Sequence, residues 1–194
     1  SDCPANESCR NKKSAVIHDV RRLADLRAVK DRLETYNAVQ KTYPVLAQGT
    51  YVSNSSISTW PSWQTTFKNT IGGDLPTDPI NKLGACAGSY NPVTCWDEAA
   101  KRYASTNNPL AVPAGSYVYY YQYNAAGNTY KFCGATESGF IEGRSIGSPV
   151  CNTHSCAGRQ CGTDGNGNVC GTCRRGLSCQ NYKCTDAQQQ QQDN

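Results

Sequence analysis

The chain has 194 residues, a formal net charge of +4 and no methionine. That length suits one ordinary domain plus a small one. The charge is mild and no dense Lys/Arg run with interleaved aromatics occurs, which argues against nucleic acid as a partner. No apolar run approaches ~20 residues, so no segment reads as a membrane span. The missing methionine, the initiator included, predicts a processed chain whose targeting segment has gone.

The N-terminal stretch SDCPANESCRNKK, residues 1–13, is short and polar. Cys3 and Cys9 lie close enough to close a small local loop, so it reads as a disulfide-looped terminus. The next stretch organises the rest. From Ser14 to Tyr43 no glycine or proline occurs, and Val16, Val20, Leu23, Leu26, Val29, Leu33 and Tyr36 recur at helical spacing. Arg21, Arg22, Asp25, Lys30, Asp31 and Glu34 fill the other faces. Ser14 is a candidate N-cap, and Pro44 puts Tyr43 outside helical geometry. One continuous helix over 14–43 is predicted, with its apolar stripe buried against the rest of the domain.

Residues 45–82 are loop-rich. SWQTTFKNTIGG predicts a short helix ended at Gly72-Gly73, with Trp63, Phe67 and Ile71 on one core-facing side. LPTDPINK brackets Asp78 with two prolines, the pattern of a rigid surface turn. Cys86 and Cys95 are placed to close a loop through Asn91-Pro92, and WDEAAKRYA predicts one or two helical turns. Asp78, Asp97 and Glu98 resemble carboxylates for acid–base work or for calcium in these loops. The competing reading, solvated loop and helix-start acids, is favoured because no DxDxDG-type ligand loop is present. The Asn6 and Asn54 sequons match the N-glycosylation pattern, which arises often by chance.

SYVYYYQY, residues 116–123, is the clearest strand signal. Tyr117, Tyr119, Tyr121 and Tyr123 fall on one face, Val118, Tyr120 and Gln122 on the other. NAAGN turns the chain and TYKFC returns it, a β-hairpin. One face is expected to pack on the long helix; the tyrosine row is the alternative surface for a sugar or for assembly. Residues 136–150 read as a glycine-rich linker.

Beyond them the composition changes. Cysteines stand at 3, 9, 86, 95, 133, 151, 156, 161, 170, 173, 179 and 184, and the last seven are crowded between Cys151 and Cys184. A module of that kind cannot build its own core and needs staples. An even total this high points to disulfides and an oxidising compartment. Zinc is the rival reading of CGTC at 170–173, but only one such knuckle is present and His154 is the lone nearby histidine. A thioredoxin-like role for CGTC lacks a surrounding βαβ pattern. The odd count in the module requires one cysteine to reach outside; Cys133 is the nearest spare, and Cys133–Cys151 is the expected pair. Residues 186–194, Gln-rich, read as a disordered tail.

HDVRRLADLRAVKDRLETYNAVQKTYP resembles the segment that follows the hydrophobic N-terminal helix in type IV pilins and type II secretion pseudopilins, where a charged R-x-x-D-L helix runs to a tyrosine-rich end and a YP. LPTDPINK, YNPVTCWDE, and YVYYYQY with its GNTYKF return are similar to the loop and terminal hairpin of that family. The likeness spans residues 14–135; the family's processing site and membrane-spanning half-helix do not occur in it. Residues 151–185 resemble small secreted cysteine-rich repeats. The resemblance implies an α+β, pilin-like head at 14–135, a long N-terminal amphipathic helix packed on a small antiparallel sheet, followed by a small disulfide-rich module. It implies self-assembly with like subunits at the cell surface, with the module contacting a surface or glycan partner. A secreted, non-filamentous binding protein is the alternative. Only His18 and His154 are available for catalysis, and no GxSxG, HExxH, phosphate loop or haem-attachment pattern occurs, so no enzyme and no cofactor are expected.

Overall fold

The computed structural model describes residues 7–46, 51–86, 88–104, 110–138, 149–154, 160–163, 169–174, 176–180 and 183–186. These fall into two compact units, one drawn from Ser1–Tyr123 and Lys131–Asn152, the other from Asn124–Tyr130 and Thr153–Asn194. The fold is α+β, with one long N-terminal helix and small antiparallel sheets.

Helix α1 runs from Glu7 to Gln40, 34 residues, about 51 Å at the usual rise. It starts earlier than its apolar periodicity predicts: residues 7–13 form the first turns of the rod and not a separate loop. No glycine or proline interrupts it. Its end is set by Lys41, which takes a left-handed φ of 60°. The Lys41 backbone N–H donates to the Asn37 carbonyl, and its ammonium donates to the Ala38 carbonyl at 2.8 Å. Both contacts satisfy carbonyls that the last turn leaves unpaired.

Strand β1 (Ser55–Ile57) pairs antiparallel with β4 (Tyr120–Asn124), with Ser56 opposite Tyr121. Strands β5 (Thr129–Ala135) and β6 (Pro149–His154) complete a sheet of order β1-β4-β5-β6. A short π turn, Trp63–Phe67, leads into helix α2 (Lys68–Ile71), which ends at Gly72 and Gly73, both at positive φ. Where a helix was predicted in WDEAAKRYA, the chain instead forms a hairpin of β2 (Trp96–Asp97) and β3 (Arg102–Tyr103). Asp97 explains the difference. Its Oδ1 accepts the backbone N–H groups of Ala99 and Ala100 at 3.0 and 2.9 Å, which folds a turn in place of a helix start.

Around β4 and β5 the sheet is packed on both faces. On the α1 side, Tyr119, Tyr121 and Phe132 meet Trp63 and Phe67; the Phe67 and Tyr121 rings stack at 4.5 Å. Strand β5 reaches the helix closely at Gly134, where a Cβ would stand 3.0 Å from the Tyr119 ring and 4.0 Å from Leu26. A glycine is therefore what lets the strand lie there. On the opposite face Ile57, Trp60, Leu83, Cys95, Tyr103, Val118, Tyr120 and Cys133 form one cluster. The Cys86–Cys95 disulfide fastens the loops over that cluster, and Cys133–Cys151 joins β5 to β6. These are the two pairs that the spacing suggested.

The second unit holds two small hairpins, β7 (Gly162–Thr163) with β8 (Val169–Gly171) and β9 (Leu177–Gln180) with β10 (Lys183–Asp186). Cys161–Cys179 and Cys173–Cys184 staple them. Cys3 and Cys156 lie outside the described residues, as do the side chains of Cys9 and Cys170.

Candidate functional site

The inward face of α1 is not the stripe that hydrophobicity predicts. Ala15, Asp19, Arg22, Leu26, Val29 and Leu33 are buried, a seam with steps of 4, 3, 4, 3 and 4. Leu26, Val29 and Leu33 drive its lower half; burying each is worth about 1.5–3 kcal/mol. The upper half is polar. Because Asp19 and Arg22 take the inward positions, Val20 and Leu23 turn outward: Ile17 is 58% exposed, Val20 62% and Leu23 39%. The predicted stripe is thus corrected over its first two turns.

An ion cluster explains this phase. The Arg22 guanidinium, 3% exposed, donates from Nε and Nη2 to the two carboxylate oxygens of Asp78 at 2.6 and 2.9 Å. Its Nη1 donates to Asp19 at 2.8 Å and to Glu137 at 3.1 Å. Asp19 also accepts the backbone N–H groups of Glu137 and Ser138, at 2.9 and 2.8 Å. His18 Nδ1 lies 2.8 Å from Glu137. Three remote stretches therefore meet at one cation: α1, the LPTDP turn and the residues after β5. Pro76, Thr77 and Pro79 are half-buried and Ile80 is exposed, so the proline-bracketed turn lies at the surface, but its Asp78 is buried and ties the turn inward. Thr136 is buried and Glu137 and Ser138 are bound, and Pro149 and Val150 lie in β6, so at these positions the stretch predicted as a linker, 136–150, is part of the fold. Its residues 139–148 lie outside the described residues.

The electrostatics follow from these contacts. Burial alone would lower the Arg22 pKa, but the bonds from Asp78, Asp19 and Glu137 more than reverse it, so the group stays charged. Burial would raise the Asp19 pKa; the bonds from Ser138, Glu137 and Arg22 outweigh it and hold the carboxyl below its ordinary 3.8. The folded state then binds that proton less readily than the unfolded chain. The stability Asp19 contributes is complete above that ordinary value, which the unfolded chain keeps, and is lost as pH falls through the lower folded value. Urea midpoints measured from pH 6 to pH 2 are expected to fall steeply below about pH 4. Asp19→Asn should flatten that fall; an unchanged profile would contradict the role given to Asp19.

The tyrosine row does not form an open platform. Tyr119 and Tyr121 are fully buried, their hydroxyls donating to Asp25 Oδ2 and to the Pro44 carbonyl at 2.8 and 2.9 Å. Burial, then the Asp25 bond, raises the Tyr119 pKa. Tyr117 is half-buried beneath Arg22, whose guanidinium carbon sits 5.3 Å from its ring centre, and half-buried Tyr123 meets Thr42 Oγ1 at 3.1 Å. The suggested surface-contact role is therefore corrected for Tyr119 and Tyr121, because the sheet is covered on both sides.

The other candidates resolve simply. Asp78 is held by Arg22 and Asp97 caps a turn, while Glu98 accepts the Trp96 indole N–H at 2.9 Å and pairs with Lys101. The sulfurs of Cys161, Cys173 and Cys184 lie within 4.8 Å of one another. Each is already joined in a disulfide, so they are covalent staples and not thiolate ligands. Cys173 pairs with Cys184 and not with Cys170, so CGTC is not a closed redox loop. Ser56 of the Asn54 sequon is buried in β1 and bonded to Ser62 at 2.8 Å; Asn6 lies outside the described residues. Comparison with protein-family models, curated proteins and solved structures found no match. No helix among the described residues is long and apolar enough to cross a membrane. Among the described residues, Ile17, Val20 and Leu23 form an outward apolar strip on α1.

Proposed function

We propose that the chain is a structural subunit of an extracellular filament of the type IV pilus or pseudopilus kind, working by assembly and display and not by catalysis. The observation that supports this reading is the strip Ile17, Val20 and Leu23, held outward on a long helix by the Arg22 cluster. Apolar side chains grouped on one helix face and left in water mark a surface meant to be covered. In the family the sequence resembles, the N-terminal helix builds the filament core and the head decorates its surface. The Arg22–Asp78 pair also ties together two stretches that carry the resemblance, the R-x-x-D-L helix and the LPTDP turn. Disulfides in both units are compatible with an extracellular setting. The cysteine-rich module is then the displayed part, stapled against proteolysis and suited to contact with a surface or glycan.

Deleting residues 152–194 tests display. Filaments that still form while attachment to a surface is lost are the expected result. Unchanged attachment, with a head that melts much earlier, would make the module a brace and end the adhesive reading.

A further inference from the structure

Helix α1 carries a second regular seam, on the side away from the core. Lys13, Ile17, Val20, Ala24, Arg27 and Asp31 follow one another at steps of 4, 3, 4, 3 and 4, the spacing of the buried seam, and all six are exposed. Such 3.5-residue spacing is what a helix presents to a second helix. The spacing is symmetric, with opposite charges at its ends, Lys13 and Asp31, Val20 and Ala24 at its centre, and Ile17 mirrored by Arg27. Read backwards, the same spacing recurs, so a reversed copy meets it position for position.

We propose that two copies of this chain pair antiparallel through this seam, with Lys13 of each copy on Asp31 of the other. In that register Val20 packs on Ala24 twice, and the Arg27 stem lies over Ile17 twice. Charge selects the direction. An in-register parallel pair would set Lys13 on Lys13, Arg27 on Arg27 and Asp31 on Asp31, three like-charge contacts; the antiparallel pair replaces them with two ion pairs at the ends. Ala24 lets the helices approach closely, in the near-antiparallel crossing of about 20° that interlocking ridges favour. The contact is small, below the ~1,200 Å² of stable complexes, so the pair is a weak and reversible one.

The inference goes beyond the filament reading and does not require it. The pair occupies the strip that a filament neighbour would need, so it is a reserve state of the free subunit that assembly must dissociate.

Sedimentation equilibrium of the whole chain from about 5 to 500 µM is expected to show monomer and dimer in exchange, and Val20→Glu to weaken association at least about tenfold. Carbodiimide coupling, which joins a touching ammonium and carboxylate as an amide, then reads the register. Lys13 and Asp31 of one helix are about 27 Å apart along the axis, so a Lys13–Asp31 link can arise only between copies. That link, lost in Lys13→Asp and regained as the reversed link when Lys13→Asp is combined with Asp31→Lys, is the expected result. A monomer at every concentration, a dimer indifferent to Val20→Glu, or a dimer without the Lys13–Asp31 link would each overturn the proposal. Filament assembly plays no part in these measurements, so failure here leaves the filament reading standing, and failure there leaves the pair standing.

Discussion

Arg22→Ala is expected to destabilise the first unit by about 3–5 kcal/mol, the usual penalty for removing one partner of a buried ion cluster. Asp78 has no exposed side-chain surface and Asp19 only 2%. Without Arg22 both carboxylates lose their cation in a place where water compensates poorly. The loss should reach beyond the helix. The same guanidinium holds Glu137, so the segment after β5 should loosen as well, visible as faster amide exchange at Glu137 and Ser138, whose N–H groups Asp19 accepts. Equilibrium urea unfolding of Arg22→Ala beside Arg22→Met with Asp78→Leu checks the cause. The double variant should recover part of the loss, because it removes one of the two stranded carboxylates, Asp78, while Asp19 keeps the backbone N–H groups of Glu137 and Ser138. A single variant that loses less than about 1 kcal/mol would show that the cluster is solvated and incidental.

Trp63→Ala is expected to cost about 3–5 kcal/mol, the range for emptying a buried indole site. Trp63 is fully buried, packs edge-on to Phe67 at 5.2 Å and stacks near Phe132 at 6.0 Å. Its indole N–H donates to the Pro76 carbonyl at 2.9 Å. That bond fixes the LPTDP turn, two residues before Asp78, so truncation should also disturb the seat of Arg22. Thermal unfolding of Trp63→Ala and Trp63→Phe separates the parts. The phenylalanine variant keeps much of the packing and loses the bond, so it should fall between wild type and alanine. Equal melting temperatures for all three proteins would contradict the packing described for this side of the sheet.

Much of the architecture was legible before any coordinates. The long helix followed from unbroken periodicity without glycine or proline, and the hairpin from the tyrosine alternation around NAAGN. Cys86–Cys95 and Cys133–Cys151 followed from spacing and an odd count. The phase of the helix was not legible from hydrophobicity, because Asp19 and Arg22 sit inward only through partners at Asp78, Glu137 and Ser138, far away in sequence. A usable signal existed: Ala15, Asp19, Arg22, Leu26, Val29 and Leu33 are more regularly spaced than the stripe through Val20 and Leu23. Asp78 between two prolines was a second hint, since a rigid turn is a good place to hold a buried carboxylate. The alternating tyrosines gave the two faces of the strand but not the cover on the second face. That cover is built from Trp60, Leu83, Cys95 and Tyr103, scattered residues of loop-rich sequence. The β2–β3 hairpin escaped because Asp97 can start a helix or cap a turn equally well, and only its bonds to Ala99 and Ala100 decide between them.

The central claim, a subunit that assembles and displays its cysteine-rich module, is tested most directly by immunogold electron microscopy on cells that produce the chain, with an antibody to residues 151–185. Gold is predicted along filaments at the cell surface, and Val20→Glu is predicted to abolish those filaments while the soluble protein remains folded. Gold on no filament, or filaments unchanged by Val20→Glu, would contradict it.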